Sequence, residues 1–293
     1  MYLGALLAFS TECSSVSELG QKAYVERDYA AAAVAFEKAV SVCPVSKSLL
    51  LNWAQAQLLA QQLQPAQKTL EKLLALEPRN VHALKLKADV LYLLGDDSSA
   101  VETLLAAIRI EPANPDAVYA LGRIYYQRGR HEDAVRQFLC VLELSPGSYK
   151  AYDNLGVAYE ALTDYDRAIQ NYLKAIELVH KDHPEYDWVY GNMANLMLKL
   201  GNNRKAFDLA VEASKRNPSS PRNAFLTGKA LVRLDKPELA EKWLRRAAEI
   251  DPLYPEPRYL LGQVLRKLGR ITEAEQEFRA FQEASSKTPQ VRR

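Results

Sequence analysis

His180 and His183 stand three residues apart with Asp182 between them, the one local cluster in this 293-residue chain with metal-ligand character. Closing a zinc-type shell takes further protein ligands, and the cluster lacks a third one nearby, so no metal site is expected. His82 and His131 stand alone. No nucleophile–base motif, phosphate-binding loop or zinc ligand set appears. The carboxylates are spread evenly, as on solvated helix faces. The chain is therefore expected not to be an enzyme and to carry no cofactor. The remaining chemistry lies in three cysteines, Cys13, Cys43 and Cys140. Two readings of them stand side by side: a Cys13–Cys43 bridge in an oxidising compartment, or three small buried residues.

The elements that position these residues are set by a repeat. Ala32, Ala66, Ala100, Ala134, Ala168, Ala206, Ala240 and Ala274 follow at steps of 34 residues, with one step of 38. Pro44, Pro78, Pro112, Pro146, Pro218 and Pro252 keep the same beat. The four extra residues, 181–184, are expected to lengthen one loop and leave the flanking helices intact, since loop insertions cost little. Within a unit, Tyr152, Leu155, Gly156 and Tyr159 share one helical face, Thr163-Asp164-Tyr165 breaks the run, and Ala168, Tyr172 and Ala175 form a second stripe. Two short amphipathic helices joined by such a turn pack antiparallel. Cys13 opens the first helix of the first hairpin and Cys43 closes its second, which brings the two ends together. Small residues at one place of every unit, Gly156 among them, let the partner helix approach closely. Gly95, Gly129, Gly201 and Gly269 fall at the turn inside the hairpin, where a left-handed conformation ends the first helix.

Leu121-Gly122, Tyr125, Ala134, Phe138 and Pro146 form a nearly complete copy of a known motif. Leu155-Gly156, Tyr159, Ala168 and Tyr172, and then Leu261-Gly262, Leu265, Ala274 and Phe278, come close to it. On these residues the chain resembles the tetratricopeptide repeat (TPR) family. The resemblance implies an all-α fold, a right-handed superhelical solenoid of antiparallel helix pairs, with eight units over 13–286 and a polar tail over 287–293. It also implies peptide or protein binding on a concave groove lined by the first helix of each unit.

Helical phase assigns the groove residues. In the third and fourth units they are Lys85, Tyr92, Tyr119, Arg123 and Tyr126. Asn154 follows in the fifth unit, then Trp188, Asn192 and Asn195 in the sixth. Arg222, Phe225, Lys229 and Arg233 come from the seventh unit and Tyr259 from the eighth. Aromatic and arginine side chains favour binding hot spots, and at least three of these rings are expected to face solvent. The basic C-terminal part favours an acidic segment or a free C-terminal carboxylate. A carboxylate clamp of the family's kind is absent, because Asp89 stands one turn after Lys85. A short asparagine ladder at Asn154, Asn192 and Asn195 would suit an extended peptide backbone.

Net charge is +2 with no basic domain, which argues against nucleic acid as a partner. No apolar run is long enough for a membrane span. Residues 1–12 read either as a (truncated) signal peptide, against which stand the shortness of the apolar run and the lack of Lys or Arg before it, or as an N-terminal extension; the leader reading favours an exported protein over a cytoplasmic one. The function expected is a non-catalytic scaffold or adaptor that holds a peptide in the groove. The alternative is a structural subunit of a larger secretion, envelope or enzyme assembly, contacting partners through its ends or convex face. Phe278 and Phe281, expected exposed on the last hairpin, would allow self-association there.

Overall fold

The computed structural model describes residues 2–43 and 46–287. Pro44 of the proline series, Met1 and all of the 287–293 tail except its first residue lie outside the described residues, as do the side chains of residues 2–12 and 181. Among the described residues there are sixteen α-helices and no strand. The chain divides into two compact units, Met1–Leu144 and Ser145–Arg293.

The first unit holds four pairs: α1 (Tyr2–Val25) with α2 (Tyr29–Val42), α3 (Lys47–Leu59) with α4 (Leu63–Leu76), α5 (Val81–Leu93) with α6 (Asp97–Ile110), and α7 (Pro115–Gln127) with α8 (His131–Leu144). The second unit repeats the scheme with α9 (Tyr149–Ala161) and α10 (Tyr165–Asp182), α11 (Trp188–Lys199) and α12 (Asn203–Arg216), α13 (Pro221–Arg233) and α14 (Pro237–Ile250), α15 (Pro255–Lys267) and α16 (Ile271–Lys287). Each helix pair also packs on the next pair of its own unit, so both cores are ribbons.

Local chemistry starts and stops the helices. Asp28, Ser46, Asn80, Asp96, Asn114, Ser148, Asp164, Asn202 and Ser220 each accept a backbone N–H of the first turn through the side chain. Such caps contribute about 1 kcal/mol apiece. Packing then holds each pair together. All eight phased alanines are fully buried, and a Cβ placed on Gly156 would lie 2.4 Å from the ring of Tyr172, which is itself fully buried. Glycine at that place is a requirement of helix approach, as the repeat pattern predicts.

The turn inside the hairpin is more uniform than the glycines suggest. Gly95, Gly129, Gly201 and Gly269 take positive φ as expected, and the other four turns do the same with Arg27, Gln61, Thr163 and Asp235. The i→i+5 backbone bond that closes the turn, such as Asp164 N–H to Tyr159 C=O at 2.9 Å, outweighs the local strain. Thr163, β-branched and at φ 62°, is the most strained of the four by residue type. Thr163→Gly is expected to raise the stability of the second unit by about 1 kcal/mol, read from a urea midpoint; an unchanged or lower midpoint would refute this.

Two sequence expectations need correction. The four-residue insertion does not simply lengthen a loop. α10 runs to 18 residues where the other second helices α2 to α14 have 14, so most of the insertion is an added helical turn. It is held by Arg216, whose guanidinium donates to the carbonyls of Val179, His183 and Pro184 and to the Tyr190 hydroxyl. The second correction concerns Cys13. It sits mid-helix, because α1 already begins at Tyr2 and overhangs the hairpin by a dozen residues.

Candidate functional site: a cleft between α13 and α15

Helical spacing places Phe225, Lys229 and Arg233 at four-residue intervals on one face of α13. α15 presents Glu256, Tyr259, Leu260 and Gln263 beside them, and Phe281 reaches in from α16. Together with Val232 these residues line a cleft of about 820 Å³, within the size range of ligand-binding clefts. Four residues assigned to the groove from sequence thus meet in one place: Phe225, Lys229, Arg233 and Tyr259. The rings form two groups on the cleft. Phe225 meets Tyr254 edge-on at 5.5 Å, and Tyr259 lies 5.3 Å from Phe281 and 5.9 Å from Phe278. The Lys229 ammonium lies over Phe225 at 5.9 Å. Phe278 fills the notch at Gly262 and Phe281 is half-buried against Tyr259. Neither is the exposed end-face ring that the sequence suggested.

The cations of this region fall into two classes. Arg245, Arg258, Lys267 and Arg270 each pair with a carboxylate. Among the described residues Lys229 and Arg233 do not. Two uncompensated cations therefore border an aromatic wall.

Arg222 belongs to the sequence-assigned basic series but does something else. Its Nη2 donates to Asn192 Oδ1 at 2.7 Å, and its guanidinium lies over Trp188 at 5.4 Å. Gly191 makes room for it: a Cβ there would stand 2.6 Å from Arg222 Nη1. Asn192 Nδ2 in turn donates to Asp153 Oδ1 at 2.9 Å, and the Tyr186 hydroxyl donates to Asp153 Oδ2 at 2.7 Å. Burial pushes the Asp153 carboxyl above the ordinary aspartate range; Tyr186, Asn192 and the nearby Arg222 charge pull against that shift. Glu160 is likewise raised by burial, with Lys199, Tyr172 and Arg222 opposing. The Arg222 guanidinium is thus engaged inside the second unit by Asn192 and Trp188, and its charge is a smaller influence opposing the upward shifts of Asp153 and Glu160.

The asparagines assigned to a ladder are also engaged. Asn154 Nδ2 donates to the Lys150 carbonyl of its own helix, and Asn192 is bonded on both sides as described. Asn195 is half-buried on α11. Trp188 remains exposed, at 56 %, as does Tyr259 at 46 %.

In the first unit the assigned residues do not form a comparable wall. Lys85 pairs with Asp89 at 3.3 Å. Lys85 borders a polar cleft of about 440 Å³ with Glu77, Glu111 and Asp116. Tyr119 packs on Phe138 and Tyr126 on His131. Tyr92 is half-buried and Arg123 exposed. Cys13 and Cys43 lie with Cα atoms 5.1 Å apart and their sulfurs at bonding distance, while Cys140 is unbridged.

Sequence reasoning missed Asp153 as a junction, Arg216 as an anchor, and Val232, Leu260, Gln263 and Phe281 as cleft lining. Phe281 carried a readable signal. At its place the earlier units have Ala39, Leu73, Ala107, Val141, Ala175, Ala213 and Ala247, all buried, whereas the larger ring of Phe281 is only half-buried. Gly191 carried another, as a glycine off the repeat's beat.

Comparison with known proteins identifies the pattern. Tetratricopeptide repeat profiles match residues 148–219, 192–255 and 255–288, and a TPR repeat profile matches 88–127 and 122–162. No curated protein matches the chain in sequence. Among solved structures, a tetratricopeptide repeat protein from Parabacteroides merdae is similar over 87 % of this chain and 99 % of its own, at 19 % identity and TM-score 0.67. Yeast Tom70 is similar over 89 % of this chain at 18 % identity and TM-score 0.67. Cut9–Hcn1, a hetero-tetramer of the APC/C, is similar over 89 % at 18 % identity and TM-score 0.69. The chain spans about half the length of these last two, 55 % and 48 %. At these identities the likeness is one of fold. No described helix is long and apolar enough to cross a membrane. With profile matches running from residue 88 to 288 and sixteen helices in consecutive pairs, the chain belongs to the tetratricopeptide repeat family.

Proposed function

We propose that this protein is a non-catalytic scaffold that holds a segment of another protein in the cleft between α13 and α15. The family is built for protein–protein contact, and the cleft supplies the two ingredients of a binding hot spot: desolvatable rings and unpaired charge. One observation carries the reading: Lys229 and Arg233 are uncompensated beside the wall of Phe225, Tyr259 and Phe281. Two cations in that setting favour a partner bearing acid groups, either side-chain carboxylates or a free chain end.

A photo-crosslinking residue placed at Gln263, exposed on the cleft rim, tests the reading in cells of the native source. It is expected to trap a discrete partner, whereas the same residue at Lys242, exposed on α14, is not. Adding Lys229→Glu with Arg233→Glu is expected to cut the trapped yield at least tenfold while leaving the melting curve unchanged. Equal trapping from both positions, or a yield indifferent to the charge reversals, would refute the cleft as the site.

A further inference from the structure

The cleft is graded along its length, and the grading has a direction. α13 and α15 are the first helices of consecutive pairs, each followed by an antiparallel second helix, so the two run the same way. Read from their N-terminal ends, the cleft begins with Glu256 in the first turn of α15. It continues with Phe225 and Tyr259, which stand 34 residues apart and so share one level of the repeat. It ends with Lys229 and then Arg233 on α13. Acid, rings and cations therefore follow one another along the cleft, with Glu256 on α15 and both cations on α13; Arg222, at the level of Glu256, is turned to Asn192 and Trp188 instead.

The helical rise converts this order into a ligand spacing. Four residues of helix rise about 6 Å, so the ring level, the Lys229 level and the Arg233 level are each separated by about that distance. Two residues of extended chain cover about 6.6 Å and point to the same side. An extended segment lying along the cleft thus meets the rings and then Lys229 with side chains two positions apart. We infer, resting on the scaffold reading above, that the cleft selects an extended segment in which an apolar or aromatic side chain and a carboxylate stand two residues apart. The carboxylate lies toward Arg233, and any basic or amino group flanking the apolar residue lies toward Glu256. Charge complementarity sets the polarity: a segment laid the other way puts its acid against Glu256 and leaves Lys229 and Arg233 unmatched.

A random twelve-residue peptide library displayed on phage and panned on the full chain tests the inference. Enriched peptides are expected to share an apolar or aromatic residue and an acid two places apart. A synthetic peptide from the pool is expected to lose at least tenfold in affinity on Glu→Gln. The matching Glu→Lys peptide is expected to bind the Lys229→Glu, Arg233→Glu chain better than its parent does. Two further outcomes separate this inference from the reading beneath it. Peptides that are lost on Tyr259→Ala but indifferent to Glu→Gln overturn the ordered acid rule and leave the cleft as the site. Peptides indifferent to Tyr259→Ala, or no enrichment at all, overturn both. Tyr259 is exposed, so its removal leaves the fold in place as a fair control.

Discussion

Arg222→Glu is expected to destabilise the second unit by about 2 kcal/mol, the scale of losing a hydrogen bond made by a charged group in a half-buried setting. The loss has three sources. Asn192 Oδ1 loses its donor, Trp188 loses the cation on its face, and Asp153 and Glu160 lose a nearby positive charge. The new carboxylate would also stand beside two acids that burial already holds above their ordinary range. The pH dependence follows from that direction. A carboxyl whose folded pKa is raised binds its proton more tightly in the folded state, so its cost is absent below the unfolded value and complete above the folded one. Protonation relieves the crowding, so the penalty in the variant is expected to shrink as the pH falls from 8 toward the ordinary carboxylate range. Hydrogen exchange of α9, α11 and α13 at pH 8 and pH 5 measures both claims without assuming two-state unfolding of a repeat array. Arg233→Glu, at an exposed position of the same helix, is the control, and its expected change is within about 0.5 kcal/mol, as for surface substitutions generally. An Arg222→Glu protein protected like the parent at pH 8 would show that the guanidinium is a surface charge after all.

That contrast shows where a sequence stops being informative. Arg222, Lys229 and Arg233 share one helix and one charge, and helical phase places all three on the same side. What separates them is the neighbour each finds. Arg222 meets Gly191 and Asn192 on α11, which became its neighbours only when a helix pair thirty residues upstream packed against α13. Lys229 lies over the Phe225 ring, and both it and Arg233 border the cleft without an ion pair among the described residues. The repeat itself was legible because its signals are local and recur: alanines at 34-residue steps, small residues in the notch, glycine at four turns. Even there the pattern was partial. Thr163 adopts the same left-handed turn as Gly129 because the fold needs it, and nothing in the residue type announces it. The insertion was legible as a length but not as a structure, since whether four residues extend a helix or a loop depended on the three carbonyls that Arg216 collects. The candidate cleft was half legible. Its α13 and α15 residues followed from phase, while Phe281 enters from α16, a second helix that phase does not assign to the groove.

Reduction of the Cys13–Cys43 pair is expected to have the largest effect on the first hairpin. Their separation of 30 residues sets the loop entropy that a bond removes from the unfolded chain, about 3.5 kcal/mol on the chain-entropy account. In a globular domain that gain would be shared by the whole molecule. In a ribbon it acts where the loop is, because each pair touches only its neighbours, and the α1–α2 pair packs on α3. The affected contacts are those of α1 and α2 around Phe36, Ala32 and Val16, which continue to Leu49 on α3. Opening the bond by a dithiol, which takes up the disulfide as two thiols and is itself oxidised to a disulfide, is expected to lower exchange protection in α1 and α2 by a factor of 10² to 10³, at about 1.4 kcal/mol per decade. The pairs from α5 onward are expected to keep theirs. Cys43→Ser is expected to reproduce the loss without reductant, and Cys140→Ser to have no such effect. Intact mass of the protein before and after alkylation gives the bond count independently. If α1 and α2 keep full protection with both thiols alkylated, then Gly20 against Phe36 and the α3 contact are sufficient to hold the end of the array, and the two cysteines are simply small residues packed where the hairpin closes.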